Sequence, residues 1–539
     1  MDTDALRNAA ATLALVLAMT SASLASEGDQ VRLDSGIVQG TGADASGIRA
    51  FKGIPFAAPP VGELRWREPQ PVAPWPGVRP ATAFGPRPMQ RHIYSDMVFR
   101  DKGPSEDCLY LNVWTPARAP SDRLPVMVWI YGGGFEAGAA SEPRQDGRLL
   151  ARRGVVVVSL NYRLGIFGFF SHPALSAESG HGSGNYGILD QVAALRWVQR
   201  NIAAFGGDPS NVTIFGESAG SYSVSLIMAT PLSRGLFQKA IWESGSMVGT
   251  TRMPTERNTR VFDLKDAESQ GARLARSLGA GSLAALRALP ADKVLSASRS
   301  PLYKEEGRDP PVVVDGYLLP APPRTVFLSG AQAHVPLLAG WTADENRAYA
   351  VLGTQRPTAA SYAASVRSRY PAYADEILRL YPAATDAEAV KSAGDLACDG
   401  FIVASVRSGL WKHLETGGAP VYAYQFDRAV PIPEGTVING AKVTSAETGA
   451  RHASEIAYVF GTFDSEPSVK WQPGDERLSD AIQQYWTNFA KTGSPNGSDL
   501  PEWPRYLGEG GYPVMHLDLS PAPAPEAHRE RYAFWDSAP

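Results

Sequence analysis

Short runs of β-branched and aromatic residues recur along the chain, and each ends abruptly in glycine or in polar turn residues. Pro125-Val-Met-Val-Trp-Ile-Tyr131 stops at Gly132-Gly133-Gly134-Phe135, and Gly154-Val-Val-Val-Val-Ser-Leu160 stops at Asn161-Tyr162-Arg163. Val212-Thr-Ile-Phe215 runs into Gly216-Glu217-Ser218-Ala219-Gly220. Gln238–Ser244, Pro336–Trp341 and Val421–Phe426 are later segments of the same kind. Apart from Gln238–Ser244, which is polar at both ends, they are nearly apolar throughout rather than alternating, and so predict strands buried on both faces. Between the second and third runs, Ile188, Leu189, Val192, Leu195, Val198 and Ile202 recur at helical spacing, which predicts a helix over 187–204. The alternation of short strands with helices predicts an α/β fold: a large, mostly parallel central sheet covered by helices on both faces. In such sheets the site lies beyond the carboxyl ends of the strands, which is where the glycine-rich and polar stops fall. Residues 252–335 and 350–418 read as helical, charged cap or peripheral insertions. No linker sets them apart, so 26–539 is read as one domain.

Bulk properties narrow the function by exclusion. The 539 residues carry 51 Lys and Arg against 55 Asp and Glu, a net charge of −4, with no basic stripe interleaved with aromatics; no nucleic-acid partner is expected. Glycine and proline are spread along the chain without a repeat. Ala9 to Leu24 is almost continuously small and apolar and leads into Ser23-Leu24-Ala25, so residues 1–25 read as a signal peptide and the protein as secreted or periplasmic. Asp2 and Asp4 depart from the usual basic start of such a segment. That run is too short to span a bilayer, and no other stretch is long and apolar enough. The two cysteines, Cys108 and Cys398, read as buried free thiols.

The chemistry concentrates in Gly216-Glu217-Ser218-Ala219-Gly220. A strand, a sharp turn and a helix around Gly-x-Ser-x-Gly form a nucleophile elbow: the serine hydroxyl is exposed on a strained backbone, and the helix N-terminus favours developing negative charge. Ser218 is the candidate nucleophile. It needs a base, and the base an orienting acid, in the chain order Ser, Asp or Glu, His. Of the five histidines after Ser218, His334 precedes the strand that should carry the acid, His413 sits in a helical run, His516 lies in a terminal strand and His528 in a polar tail. His452 alone follows the Val421–Phe426 strand by a long loop. The strand ending at Trp341 offers two acids, Asp344 and Glu345, and its own pattern does not choose between them. The Gly132–Gly134 turn supplies candidate backbone donors for an oxyanion, Gly133 and Gly134, with Ala219 the third. No Cys/His cluster points to a metal, and no cofactor is implied.

Much of the chain from about residue 30 onward resembles the type-B carboxylesterase/cholinesterase family of α/β-hydrolases. The matching segments are Phe51–Phe56, Glu106–Val113, Tyr131–Phe135, Asn161–Arg163, Phe205–Gly220, Asp344-Glu345, His452 with Val459-Phe-Gly461, and Phe489–Asn496. The resemblance implies a serine esterase with Glu345 as the triad acid, Glu217 as a buried carboxylate beside the nucleophile, and ion pairs Arg65–Glu106 and Arg163–Asp190. It also exposes departures. Secreted members usually pair a cysteine matching Cys108 with an earlier one; Met89 stands near that place, so this disulfide is expected to be absent. The tryptophan with which cholinesterases hold a quaternary ammonium is missing between Met89 and Glu106, where Arg91, His92, Arg100 and Lys102 occur instead. A basic loop there favours an ester carrying carboxylates, as in fumonisin esterases; Asp96, Asp101 and Glu106 would balance it if it is merely solvated. The alternative class is a catalytically silent binding or adhesion protein on the same fold. Such relatives typically lack the serine, whereas every triad position is filled here. The oligomeric state is left open.

Overall fold

The computed structural model describes residues 29–249, 261–301, 303, 312–438 and 441–537. The segment read as a signal peptide, residues 1–25, lies outside them, as do residues 252–260 of the first expected insertion. Ten strands form the main sheet: β1 (Arg49–Pro55), β2 (Tyr110–Thr115), β3 (Leu124–Ile130), β4 (Val156–Leu160), β5 (Gly207–Glu217), β6 (Lys239–Glu243), β7 (Leu337–Thr342), β8 (Val421–Phe426), β9 (Pro513–Leu517) and β10 (Ala522–Pro525). Their spatial order is β10-β9-β8-β7-β6-β5-β3-β4-β2-β1. The pairs from β4 through β9 are parallel. β1–β2, β2–β4 and β9–β10 are antiparallel. β2 and β1 were legible as motifs rather than as strands, because the partly exposed edge strand β1 carries arginine, lysine and glycine instead of an unbroken apolar run.

The central strands are apolar because both of their faces are covered, by α1 (Tyr186–Asn201), α2 (Ala219–Ala229), α3 (Ala404–Gly417) and α4 (Pro473–Thr492) among others. Two adjacent residues of β6 show the two faces. Trp242 packs against Phe327 on one side. Glu243, the next residue and so on the opposite face, accepts a 2.7 Å hydrogen bond from Trp486 Nε1 of α4. α3 falls in the stretch expected to be a peripheral insertion, yet it lies on the sheet against β7 and β8. It is buried nearly all round: Val406 and Leu410 join the main core, Gly409 lies against Trp242, and Arg407 and Lys412 are buried in pairs with Glu526 at 2.5 Å and Asp536 at 2.6 Å. Polar side chains buried against partners from distant parts of the chain resemble an exposed face in the sequence.

Among the described residues the expected insertions are mainly helical, the first also holding a parallel strand pair, Val261–Asp263 with Val312–Val314, and the second has a buried cluster of its own: Val351, Tyr362, Val366, Tyr370, Ile377 and Leu396, with Trp535 of the last helix packed among them. It is joined to α3 by a single π-helical turn, Asp399–Val403, which follows the helix Asp386–Cys398 without a break.

Two buried arginines fix the loops around the sheet. Arg65 holds Glu106 through two bonds of 2.6 and 2.5 Å and donates to the carbonyls of Arg287 and Leu289. Arg163, just after β4, holds Asp190 of α1 through bonds of 2.8 and 2.7 Å. Ion pairs this deeply buried roughly balance their desolvation, so their yield is geometry more than stability. Cys108 and Cys398 are both buried free thiols, and burial pushes both thiol pKa values up. Titration with an aromatic disulfide reagent is therefore expected to find no reactive thiol in the native protein and both after denaturation; a native count of one or two would mean that a cysteine opens to solvent.

Candidate active site

The site is built where β5 gives way to α2. Ser218 has φ 55° and ψ −122°, a left-handed conformation that costs about 1–3 kcal/mol in a residue with a side chain. Its N–H is fixed by a 2.9 Å bond to the carbonyl of Glu243. The flanking glycines are there for space. A Cβ on Gly216 would lie 2.5 Å from the Ile130 carbonyl oxygen, and one on Gly220 only 1.9 Å from the same atom. The strand and the helix thus close onto one carbonyl of β3. Ala219 is the first residue of α2, so its N–H has no acceptor within the helix. The loop after β3 lies against the nucleophile: a Cβ on Gly132 would come within 3.0 Å of Ser218 Cβ, and Gly133 and Gly134 have φ of 107° and 63°.

Three loops bring the remaining groups to Ser218. His452 Nε2 is 2.9 Å from Ser218 Oγ, and His452 Nδ1 is 2.5 Å from Glu345 Oε2. The other oxygen of Glu345 accepts the Thr342 N–H at 2.8 Å, which locks the carboxylate at the end of β7. Asp344 faces elsewhere: it accepts the Ala450 N–H at 2.8 Å and so ties the loop of the acid to the loop of the histidine. On the far side of the imidazole, the Phe401 ring sits 5.2 Å away at 68°, presented by the π-helical turn. One turn earlier, Cys398 Sγ accepts the Asn346 N–H at 3.3 Å, so the same helix steadies the residue after Glu345.

Buried carboxylates set the electrostatics. Glu217 Oε1 lies 3.3 Å from His452 Nε2. Burial pushes the Glu217 carboxyl up to about 8; Glu455 and Glu345 add to this and His452 opposes it. Burial pulls His452 down, but the carboxylates of Glu217 and Glu345 outweigh it and raise the imidazole to about 10. Both groups of the pair therefore hold protons more tightly than they would in water, and the pair titrates as a unit. Glu455, one turn after His452, is raised to about 7 by burial and then by Glu345, and accepts a 3.1 Å bond from Ser244 Oγ. Burial and Glu455 also raise Glu243.

Ser218, Glu217, His452 and Gly132–Gly134 open into a cleft of about 690 Å³ whose walls include Tyr94, Asp96, Met97, Arg144, Tyr349, Val351, Arg369 and Phe401. Among the described residues, no group of three or more His, Cys, Asp or Glu side chains could hold a metal ion, and no helix is long and apolar enough to cross a membrane.

Residues 27–535 match the model of the carboxylesterase family. The chain belongs to that family. It is 36% identical to fumonisin B1 esterase of Sphingopyxis macrogoltabida over 519 residues, which covers 92% of this chain and 88% of that protein. It is 37% identical to para-nitrobenzyl esterase of Bacillus subtilis (strain 168) over 483 residues, 86% of this chain and 90% of that one. A solved structure of PNB esterase, 35% identical, matches with a TM-score of 0.78 over 94% of this chain and 99% of that one. The fold is thus the α/β-hydrolase fold, and the carboxylesterase chain is a carboxylic-ester hydrolase.

The other histidines stand apart from this centre. His413 is buried in α3, where burial lowers it to about 4 and its Nε2 lies 2.8 Å from the Val335 carbonyl. His516 is 2.6 Å from Asp427, His334 is 2.8 Å from the Gly330 carbonyl, and His528 is exposed. Two arginines of the basic loop are spent on the protein itself. Arg100 pairs with Asp146 at 2.8 Å and Arg91 with Glu136 at 3.8 Å, and the loop's contribution to the cleft is Tyr94, Asp96 and Met97. Sequence reasoning passed over Glu243, Ser244 and Glu455. A glutamate and serine closing the otherwise apolar run of β6 is the signal that could have found the first two.

The elbow's crowding has a direct test. Gly220→Ala is expected to cost about 3 kcal/mol or more in urea unfolding, since its Cβ must displace backbone. Gly235→Ala, with φ 76° and open space, should cost only about 1 kcal/mol. Equal costs would mean that β5 and α2 can part from β3 without penalty.

Proposed function

We propose that this carboxylesterase cleaves its ester through Ser218, with His452 as base and Glu345 as the group that orients it. The observation that carries the reading is the hydrogen-bonded chain Ser218–His452–Glu345 on a strained elbow. Ser218 Oγ attacks the ester carbonyl as its proton passes to His452 Nε2. The negative oxygen of the tetrahedral intermediate is received by the N–H groups of Gly133, Gly134 and Ala219, each such donor being worth roughly 3 kcal/mol. The intermediate collapses to an acyl-serine as His452 returns the proton to the leaving alkoxide. Water then attacks the acyl-serine with His452 again taking the proton, and breakdown frees the acid and restores Ser218. Glu345 keeps Nδ1 protonated and stabilises the imidazolium formed at each step.

Glu217 is assigned a part in this cycle. In its carboxylate form, with an oxygen 3.3 Å from Nε2, it stabilises the imidazolium that forms when Ser218 gives up its proton, and so strengthens His452 as the acceptor of that proton.

For the substrate, similarity to fumonisin B1 esterase and the absence of a tryptophan between Met89 and Glu106 favour an ester that carries carboxylates over one that carries an ammonium. The compartment assigned is secreted or periplasmic, from the Ala9–Leu24 segment.

Ser218→Ala is expected to lower kcat on a para-nitrophenyl ester by roughly 10⁴-fold or more while leaving Tm nearly unchanged; retained turnover would overturn the assignment. Glu217→Gln removes a carboxylate that raises the His452 pKa. That pKa should fall, and the acid limb of kcat/KM against pH should move to lower pH by about one unit. An acid limb that stays in place or moves up would mean that Glu217 does not act on the imidazole.

A further inference from the structure

Besides Tyr94 and Tyr349, five acidic or basic side chains line the catalytic cleft: Asp96, Arg144, Glu217, Arg369 and His452. Four of them are compensated from within. Glu217 and His452 face each other. Arg144 is held by Glu142 at 3.0 Å and by Asp96 at 3.5 Å. Arg369 differs: among the described residues no carboxylate comes within ion-pair distance of it. Arg367, two residues earlier, is paired with Asp375 of the following helix Ala374–Leu380.

Arg369 is exposed but anchored at one point. It is the last residue of the helix Ala359–Arg369, and its Nε donates a 3.0 Å hydrogen bond to the carbonyl of Val351, a buried residue that itself lines the cleft. Anchoring a guanidinium through Nε leaves both Nη groups with their N–H donors unspent. The planar pair of Nη groups matches a carboxylate bidentately. The exposed ring of Tyr349 lies one residue pair before Val351 on the same rim. We propose that Arg369 is the subsite that receives a carboxylate borne by the substrate, on the part of the ester that extends toward the cap side of the cleft. The proposal rests on the esterase reading and deepens its substrate class. It moves the charge recognition from Arg91 and Arg100, which are bound to the protein's own acids, to a residue that is not.

The test compares two activated esters with the same leaving group and similar length, para-nitrophenyl hydrogen adipate and para-nitrophenyl hexanoate. In the full chain, Arg369→Gln should reduce kcat/KM for the adipate about tenfold, mainly through KM, with the hexanoate within about twofold of wild type. Arg369→Lys should recover part of the loss, since it restores the charge but not the fork. Rising salt should erode the wild-type preference for the adipate and leave the Gln variant unaffected. A fall on both esters alike would show cleft damage instead of anion recognition, and no change on the adipate would show that the arginine does not meet the substrate; either overturns the proposal. Failure of the underlying reading would look different, as hydrolysis of both esters that survives Ser218→Ala.

Discussion

The carbonyl oxygen of Ile130 is approached from two sides, by Gly216 at the end of β5 and by Gly220 in the first turn of α2. No side chain larger than hydrogen fits at either position, and the chain must reverse direction between them. Ser218 is caught at the apex, in a conformation that a serine does not choose for itself. The rest of the centre depends on that crowding. It presents the hydroxyl to His452, leaves the Ala219 N–H without a helical acceptor, and brings the Gly132–Gly134 loop against the nucleophile.

Behind the elbow the fold accepts a second cost. Glu217, Glu243, Glu345 and Glu455 are all buried, and the imidazole of His452 faces two of them. Carboxyl groups gathered in so little water cannot all ionise, and the upward shifts of Glu217, Glu243 and Glu455 share that origin. The partners that hold these groups come from far apart in the chain, as Trp486 does for Glu243 and Ser244 for Glu455. The polar centre is therefore fixed by the sheet and its covering helices, not by the loops alone.

Strands β3 to β8 and the helix α1 could be read from the pattern because burial on both faces demands continuous apolar runs, and the sequence shows them. The edge strands could not, since an edge needs only one apolar face. α3 misled for another reason: Arg407 and Lys412 are buried in pairs with Glu526 and Asp536, and in the sequence buried charges look like surface. In the site, Ser218 was marked by its own strand and turn, and His452 by its place after β8. The choice of Glu345 over Asp344 came from resemblance, because neither spacing nor polarity reveals that one carboxylate turns to the imidazole and the other to the Ala450 N–H. Arg369 carried no signal at all. Its distinction is that no carboxylate among the described residues pairs with it, and that is a property of three dimensions.

The helix Arg529–Asp536 bears on how such a protein changes over time. Trp535 packs inside the cluster that supports Tyr349–Leu352 and Arg369, while Asp536 is gripped by Arg324 and Lys412 of the main body. The cleft rim thus stands on a small core that is fastened to the body but not shared with it. The residues of that small core are distinct from those packed around Ile130, so this side of the rim and the elbow rest on separate packing. A lineage built this way can drift from one ester to another while its reaction chemistry stays constant.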